Sequence, residues 1–478
     1  MALLLAGLAL PPAPGLTDRP AERPAPAASW AGPLDTGAVS AIRTSRYGGT
    51  WPSAYAGPGP YAPSAGTGPN MHAGTGPDTY AATAPYGYGR AEPKLKHVDP
   101  VAFRDAVARA AKRLMVPGAV VLLRTPQGTF RAAVGTTELG AARPPTTADH
   151  FRIASNTKTM TAALVLLLAQ DGRLRLSDPV SAYVPGVPGG AHITVEELLK
   201  MRSGLYNYTD APELASALDA DPGRAVTPRE MLDLAFRHRP DFAPGTAYAY
   251  SNTNYLLLGL VAEKAGGRPL AQQFRDRLFA PLGMTGTSLP AARDRSLPRP
   301  YAHGYMYGGT AYALVDRPYP ADVREAARSG ELKPLDYTHQ NPSYSMAAGA
   351  AVSTADDLAT WIRALVSGGV LDAASRQKWL DSPQAEDPAA PDGQKYGYGI
   401  AFQRFGPHAS MYFHGGELPG FNSFVGHDPE HDVTLVIWTN LTLAPDGRAT
   451  ANALLPTVLD QVYPGLALPG AHGTQSGN

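Results

Sequence analysis

The chain of 478 residues carries 41 Lys and Arg against 41 Asp and Glu. That balance excludes the basic excess of a dedicated nucleic-acid binder and the polybasic face of a membrane-surface protein. Cys is absent, which excludes disulfides, thiolate metal sites and a cysteine nucleophile. With 44% apolar residues there is material for a substantial core, yet Gly 50 and Pro 47 exceed ordinary usage. Part of the chain is therefore expected to lie outside it.

Residues 1–10, MALLLAGLAL, are apolar like the middle of a signal peptide, but lack its basic start and an immediate cleavage site. Ten residues cannot cross a bilayer core of roughly 30 Å, so a remnant signal and an extracellular or cell-wall location are expected. Without such a signal the location would be cytoplasmic. From Pro11 to residue 95 the sequence is rich in Pro, Gly, Ala and Tyr without apolar periodicity. It is expected to be a disordered arm.

A globular domain is expected over 96–465. Residues 99–114 have helical apolar spacing behind an Asp-Pro start. Strands are predicted at Gly118–Arg124 and Thr129–Val134, joined by a TPQG turn. The stretch from Thr157 to Gly369 reads as largely helical. Further strands are predicted at Tyr398–Arg404, Ser410–His414, Asn422–His427 and Val433–Asn440, the last two forming a hairpin around DPEHD. A helix at Ala449–Val462 precedes a flexible tail, 466–478. Strands at both ends with helices between predict an α+β fold. An antiparallel sheet is assembled from the two chain ends and flanked by the terminal helices, with a mostly helical subdomain inserted.

Three short motifs carry chemistry. In FRIASNTKTMTAALVLLLAQDGRL, Ser155 and Lys158 stand one turn apart at the start of an apolar helix. If Ser155 opens that helix its hydroxyl lies at the positive end of the helix dipole, and a helix cap is the plain alternative that does not exclude a nucleophile. Burial would lower the lysine pKa, and a neutral amine can then take the serine proton. In APGTAYAYSNTNYLLLG, Tyr250 and Asn252 lie two apart ahead of a helix, a spacing that lets a phenol and an amide enter one cleft. In MYFHGGELPGFNS, His414 is placed at a strand end, where Gly415 and Gly416 let a substrate backbone approach. Each motif alone is weak. Ser375 and Lys378 repeat the first on a solvated helix, and His72-Ala73-Gly74 and His472-Gly473 imitate the third.

The order Ser155…Lys158, Tyr250-Ser251-Asn252, His414-Gly415-Gly416 resembles the penicillin-recognising serine hydrolases, the superfamily of class C β-lactamases and serine D-alanyl-D-alanine carboxypeptidases. The phrases ITVEELLKMRSGLYNYTD, AAGAAVSTADDLATW and YGYGI share the likeness, which spans about 97–462. It implies Ser155 as the acylated nucleophile and Lys158 with Tyr250 as general base and acid. Asn252 would orient the substrate amide, and His414 would maintain the electrostatics of the Tyr250 proton. Backbone N–H groups of Ser155 and Glu417, beside Gly415 and Gly416, would form the oxyanion hole. No cofactor or metal is implied. The expected activity is that of a D-alanyl-D-alanine carboxypeptidase-like peptidase on D-amino-acid peptides or peptidoglycan stems. A D-aminopeptidase, esterase or β-lactamase is the alternative, and a non-catalytic penicillin-binding sensor a further one. Partners are a small peptide, ester or β-lactam, with no nucleic acid and no membrane span, and a monomer is expected.

One departure bears on specificity. Carboxypeptidase members carry hydroxyl residues about the H-x-G motif and an Arg on the preceding strand. Here Gly415, Glu417 and Ala401 stand in those places, and Arg404 faces away by strand alternation. His427, Asp428, His431 and Asp432 look like metal ligands but are read as solvated turn charges.

Overall fold

Helix α1 (Pro100–Arg113) begins where the sequence places it. Asp99 accepts hydrogen bonds from the N–H groups of Val101 and Ala102 at 2.8 and 2.9 Å, and Pro100 occupies the first turn. Its apolar stripe, Phe103, Ala106, Val107, Ala110 and Ala111, is buried. The computed structural model describes residues 95–314 and 319–466. The segment 1–10, the arm up to 94, His72, and the tail from 467 with His472 lie outside them.

Strands β1 (Gly118–Thr125) and β2 (Gly128–Gly135) form the expected hairpin. The other sheet strands come from the far end of the chain: β3 (Gln384–Ala385), β4 (Lys395–Tyr396), β5 (Ala401–Gly406), β6 (Ala409–Leu418), β7 (Phe421–Asp428) and β8 (Val433–Thr439). One eight-stranded antiparallel sheet results, in the order β2-β1-β8-β7-β6-β5-β4-β3. The two ends meet where β1 pairs with β8, from Ala119 opposite Thr439 to Arg124 opposite Thr434. Every residue of β7 and β8 is buried, so both faces of the sheet are covered there. Helix α1 and the C-terminal helix α5 (Thr450–Val462) pack together, and α5 lies on β7 and β8. Helix α4 (Ala355–Ser367) packs on β1, β7 and β8. Between the two strand groups run helices α2 (Thr157–Gln170) and α3 (Asn252–Gly266), with shorter helices and loops. No helix among the described residues is long and apolar enough to cross a membrane.

Three expectations change. The predicted strand from Tyr398 starts only at Ala401, because Gly399 turns the chain in the left-handed region (φ +69°). A Cβ there would lie 2.7 Å from both the Lys158 carbonyl and Ala162 Cβ, so this turn seats directly on α2. His414 does not end its strand. β6 runs on to Leu418, with Gly415 opposite Phe424 and Gly416 opposite Ser423.

The hairpin charges divide. Asp432 is exposed as expected and is held by both Nε and Nη2 of Arg363 at 2.8 Å. Asp428 and His427 are buried. Asp428 accepts from the Tyr463 hydroxyl at 2.8 Å, from His431 Nδ1 at 2.8 Å and from the Glu430 N–H at 2.9 Å. Its carboxylate gathers the turn beneath the end of α5. Asp428→Ala strands the buried Tyr463 hydroxyl and should cost about 3 kcal/mol. A thermal melt reads it as a lowered Tm, and an unchanged Tm contradicts the assignment.

Candidate active site

The chain approaches α2 through a strained turn. Ala154 has φ +51°, a conformation L residues seldom adopt, and Ser155 follows within a single 3₁₀ turn, Ala154–Asn156. Ser155 therefore stands in the turn just ahead of α2 and is not its cap. Asn156 takes that position and makes no side-chain capping bond. Its amide instead pins the turn, donating to the Ile153 carbonyl and to Ser423 Oγ of β7, both at 2.9 Å. Thr157 Oγ1 donates to the Ala154 carbonyl at 2.7 Å, and the Ile153 N–H to the Ala351 carbonyl at 3.1 Å. These bonds over-determine a conformation the backbone would otherwise leave.

Strand β6 presses on the same turn. A Cβ at Gly416 would fall 2.3 Å from the Ile153 carbonyl oxygen and 2.4 Å from Ser423 Oγ, so only glycine permits this approach. β5 pairs with β6 only as far as Ala401 opposite Phe413. From His414 to Leu418 that edge of β6 carries no strand partner among the described residues.

Lys158 is the second residue of α2 and is fully buried, while Ser155 is 7% exposed. Lys158 Nζ stands 3.0 Å from Ser155 Oγ, 2.7 Å from Asn252 Oδ1 and 2.7 Å from the Ala348 carbonyl. Burial drives the Lys158 pKa well below the usual lysine value. A neutral amine has two N–H groups and one lone pair. Asn252 Oδ1 and the Ala348 oxygen can only accept, so they take both N–H groups. In that neutral form the lone pair is left for the Ser155 hydroxyl. The Asn252 amide is oriented by Thr209 Oγ1, which accepts from Nδ2 at 3.0 Å. The Asn252 amide thus holds Lys158, with one N–H still open for substrate.

Tyr250 closes the cluster. Lys158 Nζ lies 4.9 Å from the centre of its ring, and the His414 ring lies 6.4 Å from it. His414 is buried, with Nε2 3.0 Å from the Tyr396 hydroxyl and Nδ1 2.6 Å from the Gly415 carbonyl. Burial, reinforced by the charge of Lys158, pushes its pKa down to about 3. Glu417, on the stretch of β6 beyond the reach of β5, is half-buried and accepts from Asn422 Nδ2 at 3.3 Å. Ser155, Lys158, Tyr250, Asn252 and His414 are thus brought together from segments up to 259 positions apart (414 − 155). The decoy Ser375 and Lys378 lie on the short exposed helix Ala373–Leu380, and Arg404 is exposed.

Thr209, the Ala348 carbonyl, Asn156 and Tyr396 have roles that the sequence alone does not reveal. Three of the four lie in phrases noted for likeness alone: YNYTD, AAGAA and YGYGI. Nothing local marks them, because each acts through a partner distant in the chain.

A family model described as Beta-lactamase matches residues 103–458. The chain belongs to that family. It is 26% identical over 321 residues to penicillin-binding protein 4* of Bacillus subtilis, covering 65% of this chain. The chain spans 65% of the length of that relative. Among solved structures, a D-stereospecific amidohydrolase from Streptomyces is 29% identical with a TM-score of 0.64, covering 76% of this chain and 98% of its own. A D-amino acid amidase from Ochrobactrum anthropi is 28% identical with a TM-score of 0.63, covering 76% and 97%. The family is one of serine hydrolases, and the fold is the β-lactamase and DD-peptidase type anticipated from the motifs.

If the neutral amine is the base, kcat/KM for p-nitrophenyl acetate should rise with pH through the lowered Lys158 pKa and level off above it. Lys158→Met should cost about 10²- to 10⁴-fold. Retention of full activity in Lys158→Met contradicts the arrangement.

Proposed function

We propose that this protein is a serine amidohydrolase that works through an acyl-enzyme and cleaves amides of D-amino acids bearing a free α-ammonium group. The reaction class is carried by one observation: the buried Lys158 Nζ, held by the Asn252 and Ala348 oxygens, faces Ser155 Oγ at 3.0 Å. The proton of Ser155 passes to Lys158 as Oγ bonds to the scissile carbonyl carbon. Negative charge gathers on the carbonyl oxygen, which the backbone N–H groups of Ser155 and Glu417 would receive. The C–N bond then breaks, and the leaving amine takes a proton delivered through Tyr250 from Lys158. Water attacks the ester by the reverse route, releasing the D-amino acid and restoring the Ser155 hydroxyl. His414 opposite keeps an uncharged ring beside Tyr250.

Specificity follows from charge at the edge of β6. Where carboxypeptidase relatives carry an Arg for the substrate's terminal carboxylate, this chain has Ala401, buried and paired with Phe413. Beside the would-be oxyanion site it has the Glu417 carboxylate, which repels a carboxylate and attracts an ammonium. An α-ammonium sits one carbon from the scissile carbonyl, within reach of a side chain whose own N–H meets that carbonyl's oxygen. The likeness to a D-stereospecific amidohydrolase and a D-amino acid amidase supports the same reading. A carboxypeptidase reading lacks the cation it needs at this place. The location is proposed to be extracellular, on the apolar residues 1–10 alone.

D-Phenylalanine amide should be cleaved faster than its N-acetyl derivative and faster than a peptide ending in D-Ala-D-Ala. Glu417→Gln should raise KM for the free-amine amide about 10-fold or more. Preference for the D-Ala-D-Ala peptide would overturn the substrate assignment. Ser155→Ala should abolish labelling by a fluorophosphonate probe, and labelling that persists would overturn the nucleophile.

A further inference from the structure

We propose that Tyr396 is a positioning residue that holds His414 as the neutral tautomer protonated on Nδ1, so that the cleft carries only one migrating positive charge. This rests on the acyl-transfer reading above.

The tautomer follows from the partners. His414 Nδ1 lies 2.6 Å from the Gly415 carbonyl oxygen, which only accepts, so Nδ1 carries the proton. In the neutral ring Nε2 is then an acceptor, and the Tyr396 hydroxyl, 3.0 Å away, is placed to give its one proton there rather than to the adjoining Tyr255 oxygen. Tyr396 is itself 1% exposed, on the two-residue strand β4, and pairs with Ala401 at the foot of β5. Its hydroxyl adjoins that of Tyr255 on α3, which donates to the Leu199 carbonyl at 2.9 Å. Tyr396 therefore joins the sheet to the helix behind Asn252. The other ionisable groups packed around this pair are Lys158 from α2 and Tyr248 and Tyr250 from the segment ahead of α3.

Charge gives the contact its consequence. When Lys158 accepts the serine proton, a cation forms in a crevice where water is excluded. A second cation on His414 would oppose it across the face of Tyr250. A hydrogen bond donated to Nε2 exists only while the ring is neutral, so it disfavours protonation. Burial and the nearby Lys158 charge act in the same direction. Tyr396 touches neither Ser155 nor the proposed site of the scissile bond, so its effect passes through His414.

The test combines ¹⁵N NMR of histidine-labelled protein with kinetics, the His414 signals being assigned by their loss in His414→Gln. In the native protein His414 should show a protonated Nδ1 and a bare Nε2. In Tyr396→Phe the ring should protonate about one pH unit higher, the equivalent of a tenfold change. The same variant should lose about tenfold in kcat on D-phenylalanine amide with KM little altered. A native His414 protonated on Nε2 overturns the proposal whether or not the variant folds, as does a variant whose His414 titrates unchanged. Failure of the acyl-transfer reading is separate: native protein that no fluorophosphonate probe labels at Ser155 would refute it while leaving the His414 spectrum to stand.

Discussion

Removal of water from one amine governs this structure. Lys158 is ordinary in sequence and exceptional in place, because α2 is buried on almost every side and carries the ammonium group into the interior with it. A charged amine there is costly, and burial between two fixed acceptors draws its pKa well below the usual lysine value. Much of the surrounding packing serves that arrangement. Gly259 of α3 has Ala347 against it so closely that a Cβ would stand 2.6 Å from the alanine methyl, which brings the segment bearing the Ala348 carbonyl against the helices. Gly399 closes the remaining side over the Lys158 carbonyl.

The sheet supplies the second half of the site. Because β1 from one end of the chain pairs with β8 from the other, the strands β5 to β8 are positioned against a helix formed some 250 residues earlier. The strained turn at Ala154 is held by Ser423 of β7 through Asn156, and β6 leans on it at Gly416. Nucleophile, strand edge and imidazole are thereby registered to each other through backbone contacts that tolerate no side chain. Stored strain at Ala154 and the absence of a Cβ at Gly416 are two expressions of one requirement, the close seating of that turn under β6.

Aromatic residues line the wall between the two halves. Tyr250, Tyr396 and His414 lie within 5.8–6.4 Å of one another, ring centre to ring centre. Bulky rings exclude water while their few polar atoms remain available for hydrogen bonding. Glu417 stands at the edge of this wall, on the stretch of β6 that β5 does not reach. Reactivity and selectivity are thus separated in space: the amine and hydroxyl lie in the dry part, the carboxylate at its border.

The sequence by itself determined the α+β layout, the terminal helices and most of the strands, while only the order of its three short motifs, through likeness to a known family, pointed to Ser155, Lys158, Tyr250, Asn252 and His414 as neighbours. Those features rest on local signals: an Asp-Pro start, strand alternation, a serine and lysine one helical turn apart, glycines after a histidine. It misjudged where local signals compete with long-range packing. Ser155 looks like a helix cap, yet Ser423 and Asn156 draw the chain into a turn ahead of the helix. Asp428 looks like a solvated turn charge, yet Tyr463 claims it from 35 residues away. Only the tertiary structure decided which acceptors fill the Lys158 amine, that β6 continues past His414, and that Tyr396 meets the imidazole. Hydrogen bonds between residues tens to hundreds of positions apart leave no periodicity or spacing in the chain, because their geometry exists only once the sheet has closed from both ends.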